Sequence, residues 1–211
     1  MADYQYDVFV SYRRNRFSLS WIAGEFITLF EERLEAELGR HPEVFWDQNS
    51  VDDGEVPVET IKEALSTSRC LLSILSGPYF SSRWCSAEWE TFRQRAAAAR
   101  LGRGRTLTIP IQWHDGDNYL PLLRGEGPRP RDFTRFRLVG QGWRDSPRYV
   151  EYQDEINRIV ESVARLIDAA PPFDANWPLV EPDAVDWEPG SPGRWTFKLG
   201  ADPASADEAG Q

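Results

Sequence analysis

The sequence is poor in the residues that most metal and thiol chemistry requires: it has two cysteines, Cys70 and Cys85, and two histidines, His41 and His114. Two cysteines cannot build a disulfide framework, and two histidines are too few for most metal sites. Both thiols are expected to be packed in the interior, and no cofactor is expected. Long apolar runs are also missing. None approaches the roughly 20 residues that span a bilayer. The opening MADYQYDVFV lacks the basic-then-apolar order of a secretory signal. The expectation is a cytoplasmic protein without a membrane partner. Acids outnumber bases, 34 to 24, for a net charge of −10. Phosphate neutralisation needs a basic face, so no nucleic-acid partner is expected.

Several motifs are absent in the same informative way. Neither G-x-G-x-x-G nor a P-loop follows any predicted strand, and Gly102-Arg103-Gly104 precedes one instead. No G-x-S-x-G elbow supports a nucleophilic serine. Aligning Gly54 with the invariant glycine of a calcium-binding loop puts Val51 at a ligand position, where valine cannot serve. A phospho-receiver site needs acids after the first strand and an aspartate ending the third. This chain has Ser11-Tyr12-Arg13 and Ser76 there.

What is present is an alternation of short apolar runs with helical periodicities. Residues 6–12, YDVFVSY, read as a buried strand. From Ser20, Ile22, Phe26, Leu29, Phe30, Leu34 and Leu38 recur at helical spacing, with Glu31, Glu32, Glu35 and Glu37 on the wet face and Gly39 at the C-cap position. A second strand is read at 43–46, a loop from Asp47 to Glu55, and a helix from Pro57 to Ser68. The third strand covers 70–76. Ser81 and Ser82 are candidate caps of a helix reaching about Arg100, with Cys85, Trp89, Phe92 and Ala96 as its apolar stripe. A fourth strand spans 106–113, a weak fifth is placed at 136–139, and a last helix runs from 147 to 167. Five such units predict an α/β fold: a flavodoxin-like, doubly wound five-stranded parallel sheet with ligands at the carboxyl ends of the strands.

The chain divides into a domain at 5–168 and a tail at 169–211. The tail holds eight acids against two bases, seven of the 15 prolines, and Trp177, Trp187 and Trp195. Such an acidic Pro/Trp-rich composition cannot make a core, but it can lay aromatic anchors on a surface. It reads either as docked or as disordered.

Four segments in order resemble the Toll/interleukin-1 receptor (TIR) family: YDVFVSYRRN from Tyr6, VFWDQNSVDDGE from Val44, IKEALSTSRCLLSILSGPYFSSRWC from Ile61, and WCSAEWE from Trp84. The first is similar to the family's opening strand and the basic turn after it. The second is similar to its second strand and the glycine-containing loop that mediates domain-domain contacts. In members that cleave NAD+, the catalytic glutamate lies three residues after this cysteine, which makes it Glu88 here. Residues four apart on a helix share a face, so Trp84 and Glu88 are expected to border one cleft. Glu88 is expected at a solvent-near rim and Glu90 in solvent.

The resemblance implies an NAD+ nucleosidase that breaks the nicotinamide-ribose bond. Nicotinamide leaves as a neutral molecule, so one carboxylate stabilising the ribosyl cation is sufficient, and water or an adenine nitrogen then captures C1′. The co-product is ADP-ribose or a cyclic isomer. Ser11, Arg13 and Arg14 after the first strand, with Trp84 and Trp46, are the expected substrate-binding residues, the arginines toward the pyrophosphate and a tryptophan toward a base. Asp47, Asp52, Asp53, Gly54 and Glu55 form the expected assembly loop. The implied partners are NAD+, other TIR domains and a separate sensor or activator, in a bacterial defence role. The alternative is a non-catalytic TIR scaffold for homotypic assembly.

Overall fold

A computed structural model describes residues 3–47, 57–102, 105–114 and 129–184. Five parallel strands lie in the order β2-β1-β3-β4-β5: β1 (Tyr6–Tyr12), β2 (Val44–Phe45), β3 (Ser68–Leu75), β4 (Thr108–Gln112) and β5 (Arg131–Asp132). This is the doubly wound arrangement expected from the alternation of elements. Helices α1 (Arg16–Trp21), α2 (Ile27–Leu38), α3 (Val58–Thr67), α4 (Arg83–Ala98), α5 (Gln141–Arg144) and α6 (Pro147–Asp168) cover the two faces. Among the described residues, no helix is long and apolar enough to cross a membrane.

The pleat sorts β1 into two sets of side chains. Val8, Val10 and Tyr12 join Trp21, Phe26, Phe30, Ile156, Ile159 and Val163 in the larger core, whereas Phe9 faces α3 and α4 with Leu65, Leu71 and Phe92. Ser11 has the parity of Phe9 and therefore points at α4. That parity places a hydroxyl where the candidate carboxylate lies.

Three boundaries depart from expectation for identifiable reasons. The first helix begins at Arg16, because the Asn15 side chain accepts from the Phe17 and Ser18 amides while the Ser18 hydroxyl closes the capping box. A π-turn, Ile22–Phe26, then interrupts the helix and turns Glu25 inward, where it accepts from the Gly140 amide at 2.8 Å and from Arg144 at 3.0 Å. The fifth strand is only Arg131–Asp132, paired with Ile111 and Gln112. The apolar character of Phe136, which put a strand at 136–139, comes instead from a turn. Its amide donates to the Phe133 carbonyl and its ring fills the core. Gly39, at φ +66, closes α2 in the left-handed conformation, as its position predicts.

Beyond α6 the described part of the tail runs along the outside of α4. The Tyr4 hydroxyl donates to the Pro171 carbonyl, and the Tyr4 ring meets Phe173 edge-on. The Val180 amide donates to the Thr91 hydroxyl, Glu181 pairs with Lys62 and Asp183 with Arg83. The segment thus rises from the entrance of β1 to the first turn of α4.

Candidate active site

A cleft of about 180 Å³ opens at the carboxyl ends of β1 and β2. Ser11, Arg13 and Arg14 enter it from β1, Asp47 from just beyond β2, and Trp84 and Glu88 from one face of α4. Ser82 caps α4 by accepting from the Cys85 amide, which fixes the turn that carries Trp84. The expected pairing of Trp84 with Glu88 on one wall is therefore observed. Trp46 is not among the lining residues; it is half-buried and packed against the larger core. Asp52, Asp53, Gly54 and Glu55 lie outside the described residues.

Glu88 itself is not at a solvent-near rim. It is 8% exposed and accepts a hydrogen bond from the Ser11 hydroxyl, whose oxygen lies 2.6 Å from the hydroxyl of the fully buried Tyr79. Burial pushes the Glu88 carboxyl up to about 8, opposed by the Ser11 hydrogen bond and reinforced by the charge of Asp47. Near neutral pH the acid holds its proton for much of the time.

Glu90 is also a correction, since it is 1% exposed rather than in solvent. Arg93 grips it through two 2.6 Å bonds and Gln94 adds a third at 2.9 Å. The cause of both corrections is that α4 is covered from more than one side: it packs on β1, β3 and β4 and also on the chain around Pro182–Ala184. A helix read as having one buried face has little free face left.

Among the described residues four carboxylates are buried, Asp7, Glu25, Glu88 and Glu90, and they differ in their partners. Asp7 takes two 2.7 Å bonds from Arg40, with Arg69 at 3.4 Å. Burial would raise it, but Arg40, the Glu43 amide and Arg69 together hold it below the usual range. Glu25 has Arg144 and Glu90 has Arg93. Glu88, among the described residues, has a hydroxyl donor and no cationic partner. The cleft's arginines are engaged nearby: Arg14 pairs with Asp47 at 3.0 Å, and Arg13 reaches the Ser82 hydroxyl at 3.4 Å. The Tyr12 hydroxyl donates to the Asp47 carbonyl at 2.7 Å and ties that residue to β1.

Tyr79 and the closeness of Asp47 to Glu88 were not found by reading the sequence. Tyr79 follows a Gly-Pro turn and belongs to no periodic pattern, so nothing in one dimension links it to Ser11. Arg95 was missed too, although its spacing from Phe92 and Glu88 places it on the buried side of α4. It is fully buried and donates to the Ser68 and Leu65 carbonyls at 2.7 and 3.1 Å, closing the end of α3. Both cysteines are free and buried, and burial raises both thiols.

The architecture is that of a parallel α/β domain with an acid-bearing cleft at the carboxyl end of its sheet. A family profile described as TIR domain matches residues 8–146, well over half of the chain. The chain belongs to the TIR-domain family. It is also similar to the TIR domains in the structure of the activated Roq1 resistosome directly recognizing the pathogen effector XopQ, at 17% identity over 79% of this chain and 86% of that one, with a TM-score of 0.35. No curated protein matches.

Proposed function

We propose that this TIR domain cleaves NAD+ at the nicotinamide-ribose bond, with Glu88 as the group that faces the ribosyl cation. The observation that carries this reading is the contrast among the buried acids: three are neutralised by arginine, and the one that lines the cleft is not. Burying an acid without a counter-charge is costly. A cationic nicotinamide ring supplies the missing charge on binding, favours loss of the Glu88 proton, and leaves the carboxylate facing C1′ as positive charge moves onto the ribose. A fixed negative charge in a water-poor cleft then stabilises the transition state more than the ground state. A cavity of about 180 Å³ is smaller than the roughly 300–1,000 Å³ of pockets that enclose a drug-sized ligand. The reading therefore seats the nicotinamide riboside end and leaves the pyrophosphate at the mouth beside Arg13 and Arg14. Trp84 is the stacking surface, and water or adenine captures C1′.

Assembly with like domains, control by a separate sensor, and a role in defence belong to the same reading. The second reading is a scaffold that joins other TIR domains without catalysis. The specific observation favouring it is that a protonated Glu88, hydrogen-bonded to Ser11, is a satisfied structural group.

The deciding experiment is chromatography of NAD+ incubated with the protein at rising concentration between pH 6 and 9, beside Glu88→Ala. Nicotinamide released by the wild type alone, with kcat/KM climbing about tenfold per pH unit below a midpoint near 8, is the expected result. Equal release by both proteins would remove Glu88 from the chemistry, and release by neither across the concentration range would favour the scaffold.

A further inference from the structure

Ser11 has one hydroxyl proton and two buried neighbours that compete for it. In one arrangement Tyr79 donates to Ser11 and Ser11 donates to Glu88, so that the chain ends on the Glu88 Oε2 acceptor. In the other, Ser11 turns its proton to Tyr79 and no longer donates to Glu88; a protonated Glu88 still fits the first arrangement, with its proton on Oε1, but the Ser11 bond to Oε2 is stronger when the acid is charged. The second arrangement strands the phenolic proton: Tyr79 is fully buried, and among the described residues its hydroxyl has no acceptor besides Ser11. Leaving a buried donor unmade is expensive, whereas the first arrangement satisfies every proton. Tyr79 cannot escape by ionising, because burial and the nearby charge of Glu88 push its phenol well above the ordinary range.

We propose that Tyr79 is the positioning residue of this site, acting through Ser11 to favour the ionised form of Glu88 and to hold its side chain in one rotamer. Tyr79 does not touch the cleft, and it follows β3 in a turn fixed by the bonds from the Tyr79 amide to Ser76 and from the Ser82 amide to Tyr79. The same turn ends at the cap of α4, so the residue that directs the proton and the helix that carries the acid are set by one piece of backbone. Asp47 beyond β2 opposes the ionisation of Glu88, and the other titratable groups that line the cleft with it are Arg13 and Arg14 after β1 and the neutral Tyr12 and Cys85. The role in catalysis rests on the reading proposed above, but the effect on Glu88 does not.

The test is therefore made without substrate. The carboxyl carbon of Glu88, identified against Glu88→Gln, is titrated by carbon-13 NMR in the wild type, in Tyr79→Phe and in Ser11→Ala. Tyr79→Phe keeps the ring and deletes the hydroxyl. The expected result is a midpoint raised by about one pH unit, a tenfold change in proton affinity, with the thermal midpoint of unfolding little changed. Ser11→Ala, which removes the donor itself, raises it further and keeps the inference testable should the tyrosine variant fold poorly. A midpoint unmoved in either folded variant overturns the proposal and leaves Tyr79 as packing. A shifted midpoint in a protein that cleaves no NAD+ upholds the positioning role while the enzymatic reading fails. If NAD+ is cleaved, the pH profile of kcat/KM moves by the same amount in Tyr79→Phe.

Discussion

Replacing Glu88 by Gln removes a proton-binding site while keeping its shape, and the amide oxygen still accepts from Ser11. The consequence for stability is set by where the proton sits. Burial raises the carboxyl from an ordinary 4.5 to about 8 in the folded protein, so the folded chain holds the proton more tightly than the unfolded chain does. A group of this kind favours folding fully below the unfolded value, and that advantage drains away as pH rises from about 4.5 to about 8. At about 1.4 kcal/mol per unit, the full displacement is worth as much as about 5 kcal/mol. A domain with a total stability of about 5–15 kcal/mol cannot lose that much without notice.

Urea denaturation of both proteins at fixed pH values from 5 to 9 isolates this group, because every other titration is shared. Near pH 5 the two midpoints should lie close together. Toward pH 9 the glutamine variant should be the more stable, by a margin that grows steadily through the interval. A difference constant across the range would mean that Glu88 titrates alike in both states, and the electrostatic account of the cleft would be refuted. The result does not depend on any catalytic activity.

Two further outcomes concern the scaffold. Arg95→Met keeps volume but leaves the carbonyls at the end of α3 without their donor, and should cost about 3 kcal/mol in urea unfolding; an unchanged midpoint would show that Arg95 is dispensable packing. Ending the chain after Ala170 removes the contacts to Tyr4, Thr91, Lys62 and Arg83 and should lower the thermal midpoint by about 5 °C, whereas an unaltered midpoint would show that the segment only rests on the surface.

The parts of the fold that the sequence made legible are those where one physical requirement acts alone. A strand buried on both faces must be mostly apolar, and β1, β3 and β4 appear as such runs, broken only by a few polar residues such as Asp7, Ser11 and Ser73. The face of α6 from Ile156 to Ile167 follows the helical period because the helix packs on one side only. Where two requirements meet, the pattern misleads. Phe136 is apolar because it fills a core, although its backbone makes a turn rather than a strand. Glu90 has the charge of a surface residue, yet Arg93 on the next turn lets it be buried. By spacing alone the site was legible as far as one helix reaches, since Trp84 and Glu88 share a face, whereas Ser11, Arg13 and Arg14 were placed at it by the family resemblance and do line the cleft. Ser11, Tyr79 and Asp47 come from three other parts of the chain, and only the closing of the sheet brings them to Glu88.

That division has a chemical consequence. The local motif supplies an acid, but its chemistry depends on the long-range partners: burial and Asp47 drive Glu88 toward its neutral form, while Ser11 draws it toward the charged one. The balance leaves the group near its midpoint at physiological pH, where a modest change in local charge shifts it most. A ligand that brings positive charge into the cleft would complete the pairing that Arg40, Arg93 and Arg144 provide for the other buried acids. A neutral ligand of the same shape would gain nothing from it. Discrimination by charge would therefore come from an acid kept short of a partner, with Asp47 held beside it by Arg14 so that its pressure on Glu88 persists.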